Sequence, residues 1–168
     1  MASTEKKLDD LYDLIDGIEV AMFTTRRADG HLVTRPMQVQ ERTAGTDLWF
    51  VTDLETHKLE ELAHDPHVNL GFYNSKSREW VSVSGTAIMT QDRNLIRGLY
   101  KPDWKAWFQS VDDVRDGGPE DPRIALILFE VVKGIITGQA PKVGEERLIG
   151  PREIEKAQRI EREQRAEL

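Results

Sequence analysis

RPMQVQ (Arg35–Gln40) and VTDLETHK (Val51–Lys58) are the two stretches around which this chain is organised. Side chains alternate between the two faces of a strand. The first stretch, read as a strand, therefore places Arg35 on the same, more apolar face as Val33 and Met37. A guanidinium stays charged in such surroundings and needs an anionic partner. The stretch predicts a strand that carries an arginine able to bind an anion.

The second stretch runs from a strand into a signal for the start of a helix. Either residue of the pair Thr52–Asp53 can cap that helix, and its first turn would hold Thr56, His57 and Lys58. A helix N-terminus offers free backbone N–H groups and the positive end of the helix dipole. We therefore predict a phosphate site in which Arg35 and Lys58 hold one phosphate. The alternative is that Arg35 pairs with a surface carboxylate and that Lys58 is solvated.

Length and composition exclude several classes of protein. The chain has 168 residues, which fits one domain of common size, and its net charge of −7 disfavours general binding to nucleic acid or to an anionic membrane. No apolar run approaches the roughly 20 residues of a membrane span. The start MASTEKKLDD lacks the apolar core of a signal peptide. Without cysteine there is no disulfide framework and no thiolate nucleophile. We expect a cytoplasmic protein.

Strand-like runs alternate with turn signals along most of the chain. VAMFTTR and the run from Leu32 to about Gln40 are separated by Ala28-Asp29-Gly30, and Asp-Gly between two such runs indicates a hairpin. Further strands are predicted over Leu48–Thr52, Val68–Tyr73, Glu79–Met89 and Ile124–Thr137. Helices are predicted between Ser3 and Gly17, over Glu55–Ala63 and over Arg93–Leu99. About six strands with short connections and peripheral helices favour a mainly β, antiparallel barrel or sandwich.

The pattern indicates one domain over residues 1–150, with a charged helical tail over residues 151–168. The tail has only a thin apolar stripe, so it reads as a solvated helix or, alternatively, as a segment that docks on a partner subunit. Gly85 in the middle of a predicted strand indicates a bulge or a close approach of the backbone. No glycine-rich dinucleotide fingerprint and no Walker-type loop occurs.

Few side chains suggest catalysis of their own. His64 and His67 flank Asp65-Pro66, and because the proline ends the helix, no metal site is predicted there. No GxSxG elbow occurs, and no residue stands out as a catalytic acid or base. Trp80 opens the strand expected to pair near the anchoring hairpin. An aromatic ring system with a phosphate tail would fit these parts better than a sugar or a peptide.

Several motifs, in their order and spacing, resemble those of the pyridoxamine 5′-phosphate oxidase-like flavoproteins. They are Arg35-Pro36-Met37, LWFVTDLETHK, the run Asp65–Leu70 and the segment Val81–Ala87 with its Gly85. The segment LYKPDWKAWF (Leu99–Phe108) is similar to the bacterial general stress protein branch of that superfamily. The resemblance covers most of the chain, from roughly Leu8 to Val132.

The resemblance implies a split β-barrel, usually a homodimer, with FMN bound at the subunit interface. Arg35 and Lys58 would contact the flavin phosphate, and Thr56 and His57 would complete the phosphate cradle. The residues expected along the isoalloxazine ring and the ribityl chain are Pro36, Met37, Val51 and Thr52. Trp80 would reach the flavin from elsewhere, for instance from the other subunit.

Departures from the family pattern limit the expected activity. Gln40 stands where the oxidase has a lysine for pyridoxal phosphate, and the Arg-x-His pair of the oxidase has no counterpart, so vitamin B6 oxidation is not expected. The segment KGIITGQAPK also differs from the usual ending of the stress-protein branch. The resemblance thus implies a flavin-dependent oxidoreductase with an unidentified small-molecule substrate. The alternatives are a non-catalytic flavin-binding or flavin-sensing stress protein and a deazaflavin-dependent reductase, with FAD or a deazaflavin in place of FMN.

Overall fold

The computed structural model describes residues 4–43 and 45–137. In this part of the chain six antiparallel strands form one sheet in the order β2-β1-β4-β5-β6-β3. The elements are α1 (Thr4–Ile15), β1 (Val20–Arg26), β2 (Leu32–Gln38), β3 (Leu48–Asp53), α2 (Lys58–His64), β4 (His67–Tyr73), β5 (Trp80–Thr90), α3 (Arg93–Leu99), a 3-10 turn (Pro102–Ala106) and β6 (Ile124–Thr137). The predicted mainly β, antiparallel architecture is confirmed.

The hairpin of β1 and β2 forms where Asp-Gly predicts it. The backbone N–H of Arg27 donates to the carbonyl of His31 at 2.9 Å, and Gly30 has a φ of +87°, which glycine adopts without strain. Strand β2 ends at Gln38, slightly before the expected end at Gln40. The N–H of Gln40 instead donates to the carbonyl of Trp49 at 3.2 Å, which joins the two edge strands β2 and β3 at one point. The sheet therefore curls into a split barrel.

Two apolar clusters fill the interior of the fold. In the larger one, Phe23 and Phe50 pack edge to face with ring centroids 5.3 Å apart, and α1 contributes Leu11 and Ile15. The smaller cluster lies under α3 and the 3-10 turn, and its centre is the fully buried Trp104. Packing in these two clusters stabilises the sheet whose strands β1, β2 and β3 carry residues of the site.

Gly85 lies at a bulge of β5, as its position in the sequence suggests. The pairing of β5 with β6 shifts register between Val83 and Gly85. A Cβ atom on Gly85 would lie 2.1 Å from the carbonyl oxygen of Glu130 and 2.5 Å from the ring of Phe129. Only glycine allows the two strands to approach this closely.

The helix that follows β3 begins later than the prediction of Glu55. Helix α2 starts at Lys58, and its N-cap residue His57 makes no capping hydrogen bond through its side chain. The reason is a local turn: Asp53 Oδ1 accepts the N–H of Glu55 at 2.8 Å, and the Thr56 hydroxyl donates to the Asp53 carbonyl at 2.8 Å. Such side-chain contacts compete with the helix. Neither residue of the pair Thr52–Asp53 is therefore the cap.

Some predictions lie outside the described residues. These are the cap at Ser3, the segment from residue 138 onward, the domain boundary at residue 150 and the tail over residues 151–168. Within the described part, no helix is long and apolar enough to cross a membrane.

Candidate functional site

A cleft of about 770 Å³ opens between the β1–β2 hairpin and helix α2. Its lining residues come from the hairpin, from the turn before α2 and from the first turns of α2. They are Arg27, Ala28, Asp29, Val33, Arg35, Thr56, His57, Lys58, Glu60 and Glu61. The alternation of β2 explains the place of Arg35, because Val33, Arg35 and Met37 share the less exposed face of the strand. This agrees with the face assignment from the sequence.

Arg35 is held by two residues of the same chain. Its Nη2 lies 2.6 Å from Oε2 of Glu61, and its Nη1 donates to the Thr25 hydroxyl at 2.7 Å. The Thr25 hydroxyl in turn donates to the same Glu61 oxygen at 2.5 Å. Burial raises the pKa of Glu61, but the hydrogen bonds from Thr25 and Arg35 and the charge of Arg35 outweigh it and lower the pKa. Glu61 is therefore an ionised partner of the guanidinium.

Lys58 has a different environment. Its half-buried ammonium donates to the hydroxyls of Thr52 and Thr56, each at 2.9 Å. Among the residues that the structure describes, it makes no ion pair with a carboxylate. Burial and the nearby charge of Arg35 lower the pKa of Lys58, and Asp53 and Glu61 offset only part of this effect. The lysine is a partly desolvated cation with neutral partners.

Arg35, Lys58 and the paired Glu61 together carry one excess positive charge on this side of the cleft, which is suited to an anionic group. The contacts of Arg35 use one N–H of each terminal nitrogen, whereas a guanidinium offers about five N–H donors. An anionic group bound beside Lys58 would stabilise its charged form. A phosphate suits both side chains, since arginine and lysine are its usual protein partners. Because α2 starts at Lys58 and the N–H of Leu59 already donates to Thr56, these side chains carry the argument rather than the helix N-terminus.

The structure places some of the other predicted site residues near this pair. Thr52 contacts Lys58 directly, and Thr56 and His57 line the cleft. His57 is strongly exposed, with Nδ1 3.6 Å from an oxygen of Glu60. Val51, the neighbour of Thr52 on β3, is buried in the smaller apolar cluster.

Three other predicted residues lie away from the cleft lining. Met37 is buried in the larger apolar cluster, and Pro36 lies on the outer face of the sheet opposite Met22. Trp80 opens β5 and pairs with Tyr73. Strands β5 and β2 are separated by β1 and β4, a distance of about 14 Å at the usual spacing. The cleft of one protomer is therefore built without Pro36, Met37 and Trp80, and their predicted contacts with a ligand stay predictions.

Sequence reasoning missed two members of the site, Thr25 and Glu61. A signal for each was present in the sequence. The hairpin register pairs Arg35 with Phe23, so Thr25 is the diagonal neighbour of Arg35 on the same face. Glu61 follows Lys58 by one helical turn, and residues at this spacing share a helix face. The anionic partner expected for Arg35 is thus a buried carboxylate of this chain, not one on the surface.

Comparisons with known proteins agree with this fold and with the resemblance of the motifs. Residues 6–139 match the family model described as pyridoxamine 5′-phosphate oxidase like. The chain is 36% identical over 173 residues to Protein bli-3 of Neurospora crassa, an alignment that covers 90% of this chain and 83% of that protein.

Solved structures share the fold at low sequence identity. One is the general stress FMN/FAD binding protein of Xanthomonas citri, with a TM-score of 0.61, 22% identity and coverage of 88% of this chain and 100% of that chain. Another is a protein of Clostridium acetobutylicum related to general stress protein 26, with a TM-score of 0.62, 19% identity and coverage of 77% and 86%. By the match of its sequence over most of its length, this chain belongs to the pyridoxamine 5′-phosphate oxidase-like family.

Proposed function

We propose that this protein is a flavin-binding general stress protein that holds the phosphate of FMN or FAD between Arg35 and Lys58. The observation that carries the proposal is the half-buried ammonium of Lys58, whose described hydrogen-bond partners are neutral hydroxyls. Burial makes this cation costly, and the carboxylates of Asp53 and Glu61 offset only part of that cost, so a further anion bound beside it would stabilise it. The name of the structural relative from Xanthomonas citri, an FMN/FAD binding protein, supports a flavin as the source of that anion.

The residues present fit a flavin phosphate. Arg35 and Lys58 supply charge-assisted donors, and Thr56 and His57 lie on the cleft wall beside them. Thr52 holds the ammonium of Lys58 from the side of β3. We expect the flavin ring to lie along β3, near Val51, and along the C-terminal end of β2, near Pro36 and Met37. The family pattern places these three residues beside the ring.

A second copy of this chain is the proposed partner that completes the site. The outer face of β1 and β4 exposes large apolar side chains, namely Val20 at 44%, Met22 at 46% and Tyr73 at 61%. Pro36 and Trp80 belong to the same face by strand alternation. A homodimer formed through this face would cover these side chains and bring Trp80 of one protomer toward the flavin of the other.

We propose further that the bound flavin serves in an oxidoreductase acting on a small molecule. A bound flavin supplies the redox chemistry, while the protein supplies binding, orientation and electrostatics. The role of this chain's residues is then to anchor the phosphate and to shield the ring from water. Of the described cleft residues with a shifted pKa, Asp29 and Glu61 have a lowered pKa and so favour the ionised form, and the ammonium of Lys58 faces the proposed phosphate, so we assign none of them as a general acid.

Binding tests the proposal directly. Purified protein is titrated with FMN and FAD and followed by flavin fluorescence, in the wild type, in the double variant Arg35→Ala with Lys58→Ala, and in Lys76→Ala as a control. Lys76 is an exposed cation in the turn between β4 and β5. We expect the double variant to lose on the order of 100-fold or more in affinity, and the control to bind like the wild type. Equal affinity of all three proteins would contradict the phosphate site.

Turnover tests the oxidoreductase part separately. The flavin-loaded protein is mixed with NADH or NADPH and an artificial electron acceptor, and oxidation of the nicotinamide is followed by absorbance. Oxidation that depends on the flavin and on Arg35 and Lys58 supports an enzyme. Tight flavin binding without any oxidation would favour the non-catalytic flavin-binding alternative.

A further inference from the structure

We infer that Glu61, together with Thr25, is a positioning residue that fixes the guanidinium of Arg35 for the anionic end of the ligand. The inference rests on the proposed phosphate site and goes beyond it, because neither residue is expected to touch the phosphate. It assigns a ligand-related role to a buried carboxylate, a group that would otherwise oppose the binding of an anion.

The first step of the argument is the closed ring of hydrogen bonds. Arg35 donates to both Thr25 and Glu61, and Thr25 donates to the same Glu61 oxygen, with donor–acceptor distances between 2.5 and 2.7 Å. The three side chains come from three different elements, β1, β2 and α2. A guanidinium that is hydrogen-bonded to two partners has lost most of its conformational freedom before a ligand binds. The entropy cost of ordering a long side chain is thus met in folding and not in binding.

The second step is burial. Glu61 is 9% exposed and Thr25 is 1% exposed, whereas the Arg35 side chain keeps 19% of its surface in contact with solvent. The two partners therefore hold the guanidinium from the interior, and its remaining N–H groups are left for the cleft. An ion pair this deep adds little stability compared with apolar packing. The low contribution of the Arg35–Glu61 pair to stability is understandable if the pair serves to orient the guanidinium of Arg35.

The third step is the link to Lys58. Lys58 and Glu61 are one helical turn apart on α2, so their side chains share a face of the helix. The contact of Glu61 with Arg35 therefore ties the helix that carries one cation to the strand that carries the other. The carboxylate also screens the two cations from each other, which acts against the lowering of the Lys58 pKa by Arg35. Glu61 thus holds the strand that carries Arg35 against the helix that carries Lys58.

The test separates the phosphate from the rest of the flavin. Affinities for FMN and for riboflavin, which lacks the phosphate, are measured by fluorescence titration in the wild type, Glu61→Gln, Thr25→Val and Thr25→Ser. The ratio of the riboflavin Kd to the FMN Kd reports the phosphate contacts alone. We expect this ratio to fall about tenfold, or about 1.4 kcal/mol, in Glu61→Gln and Thr25→Val. Thr25→Ser keeps the hydroxyl and should keep the ratio, and riboflavin affinity should be the same in all four proteins.

A second comparison shows whether Glu61 acts through Arg35. Adding Glu61→Gln to Arg35→Ala should leave FMN affinity where Arg35→Ala alone puts it, because the group to be positioned is gone. If Glu61→Gln binds FMN as tightly as or more tightly than the wild type, Glu61 is only a competing anion and the inference is wrong.

The outcomes also separate this inference from the phosphate site. A wild type that binds FMN no better than riboflavin would overturn the phosphate site and this inference with it. A wild type that discriminates, with an unchanged ratio in Glu61→Gln and Thr25→Val, would overturn this inference alone. If Glu61→Gln does not fold, the matched pair Thr25→Val and Thr25→Ser still decides the question.

Discussion

Nζ of Lys58 lies 2.9 Å from Oγ1 of Thr52, so the first residue of helix α2 reaches back to the end of strand β3. This contact and the one to Thr56 place an ammonium of the cleft lining beside neutral hydroxyls. Burial and the charge of Arg35 lower the pKa of Lys58 below its ordinary value of 10.5. The lysine therefore opposes folding at neutral pH, a cost typical of a group kept for binding.

The first prediction concerns Lys58→Met. Because the folded-state pKa of Lys58 is lower than the unfolded-state pKa, the unfolded chain binds the proton more tightly. The penalty is present at neutral pH and is relieved as the pH rises from the folded-state pKa toward 10.5. Removing the charge should raise the free energy of unfolding of the flavin-free protein by less than about 1 kcal/mol, because solvent screens this half-buried ammonium. The same change should lower FMN affinity at least about tenfold.

Urea denaturation at pH 7 and flavin titration measure the two effects. Lys76→Met is the control, because this lysine is exposed and should change neither quantity. Unchanged FMN affinity in Lys58→Met would contradict the assignment of Lys58 to binding, and a lower free energy of unfolding would contradict the cost assigned to its burial.

Much of the fold follows from patterns that act over a few residues. Alternation in β2, the Asp-Gly turn and the apolar run Ile124–Thr137 depend on local preferences, and the strands form where these indicate them. The start of α2 could not be located in this way. Asp53 is a good cap and also a good turn former, and which role it takes depends on where β3 ends against β6.

Only the two cations of the site could be predicted from the sequence. Arg35 and Lys58 stand out because cations on apolar or helix-start positions are unusual. Thr25 and Glu61 do not stand out, since a threonine in a strand and a glutamate in a helix are ordinary residues. Local patterns place each residue on the face of its own element that carries Arg35 or Lys58, but the contact between Thr25 and Glu61 depends on the packing of α2 against β1. The place of Trp80, on an interior strand separated from β2 by β1 and β4, likewise depends on the strand order.

The second prediction concerns the close approach of β5 and β6. Gly85→Ala should destabilise the protein by about 2 kcal/mol or more, because the new Cβ would meet backbone atoms that cannot move independently. Gly98→Ala is the matched control: it lies in α3, nothing lies within 4 Å of its Cβ position, and φ is not in the left-handed region. Gly98→Ala should raise the free energy of unfolding of the protein by up to about 1 kcal/mol, because alanine favours a helix more than glycine does. Chemical denaturation of both variants gives the comparison, and equal stabilities would refute the packing argument.

The third prediction is an acid-sensitive ion pair in the loop before β6. Burial alone would raise the pKa of Asp121, but hydrogen bonds from the side chain and backbone of Arg123 and from the N–H of Gly117 outweigh it and lower the pKa to about 2. The stabilisation is therefore complete above pH 3.8 and is lost as the pH falls through about 2. Asp121→Asn should lower the free energy of unfolding by about 2 kcal/mol at pH 7. Its free energy of unfolding should also depend less on pH between 3.8 and about 2.

Thermal unfolding at a series of pH values tests this loop. Glu120→Gln is the control, because Glu120 forms an exposed ion pair with Arg97 and should matter much less than the buried Asp121. If both variants lose the same stability at pH 7, the buried position of Asp121 has no special role.

The fourth prediction joins assembly to cofactor binding. If a second copy covers the outer face of β1, a charge at Met22 should be tolerated in the monomer, because this side chain is 46% exposed, but it should break the dimer. Met22→Glu should therefore elute as a monomer and melt within a few degrees of the wild-type monomer fraction. It should also bind FMN at least about tenfold more weakly, because Trp80 of the partner is lost. Val111→Glu is the control, at an exposed residue of the loop between the 3-10 turn and β6. Size-exclusion chromatography with light scattering, followed by FMN titration, decides between the outcomes. A wild type that is already monomeric and binds FMN would remove the dimer from the proposed site while leaving the anchor of Arg35 and Lys58 in place.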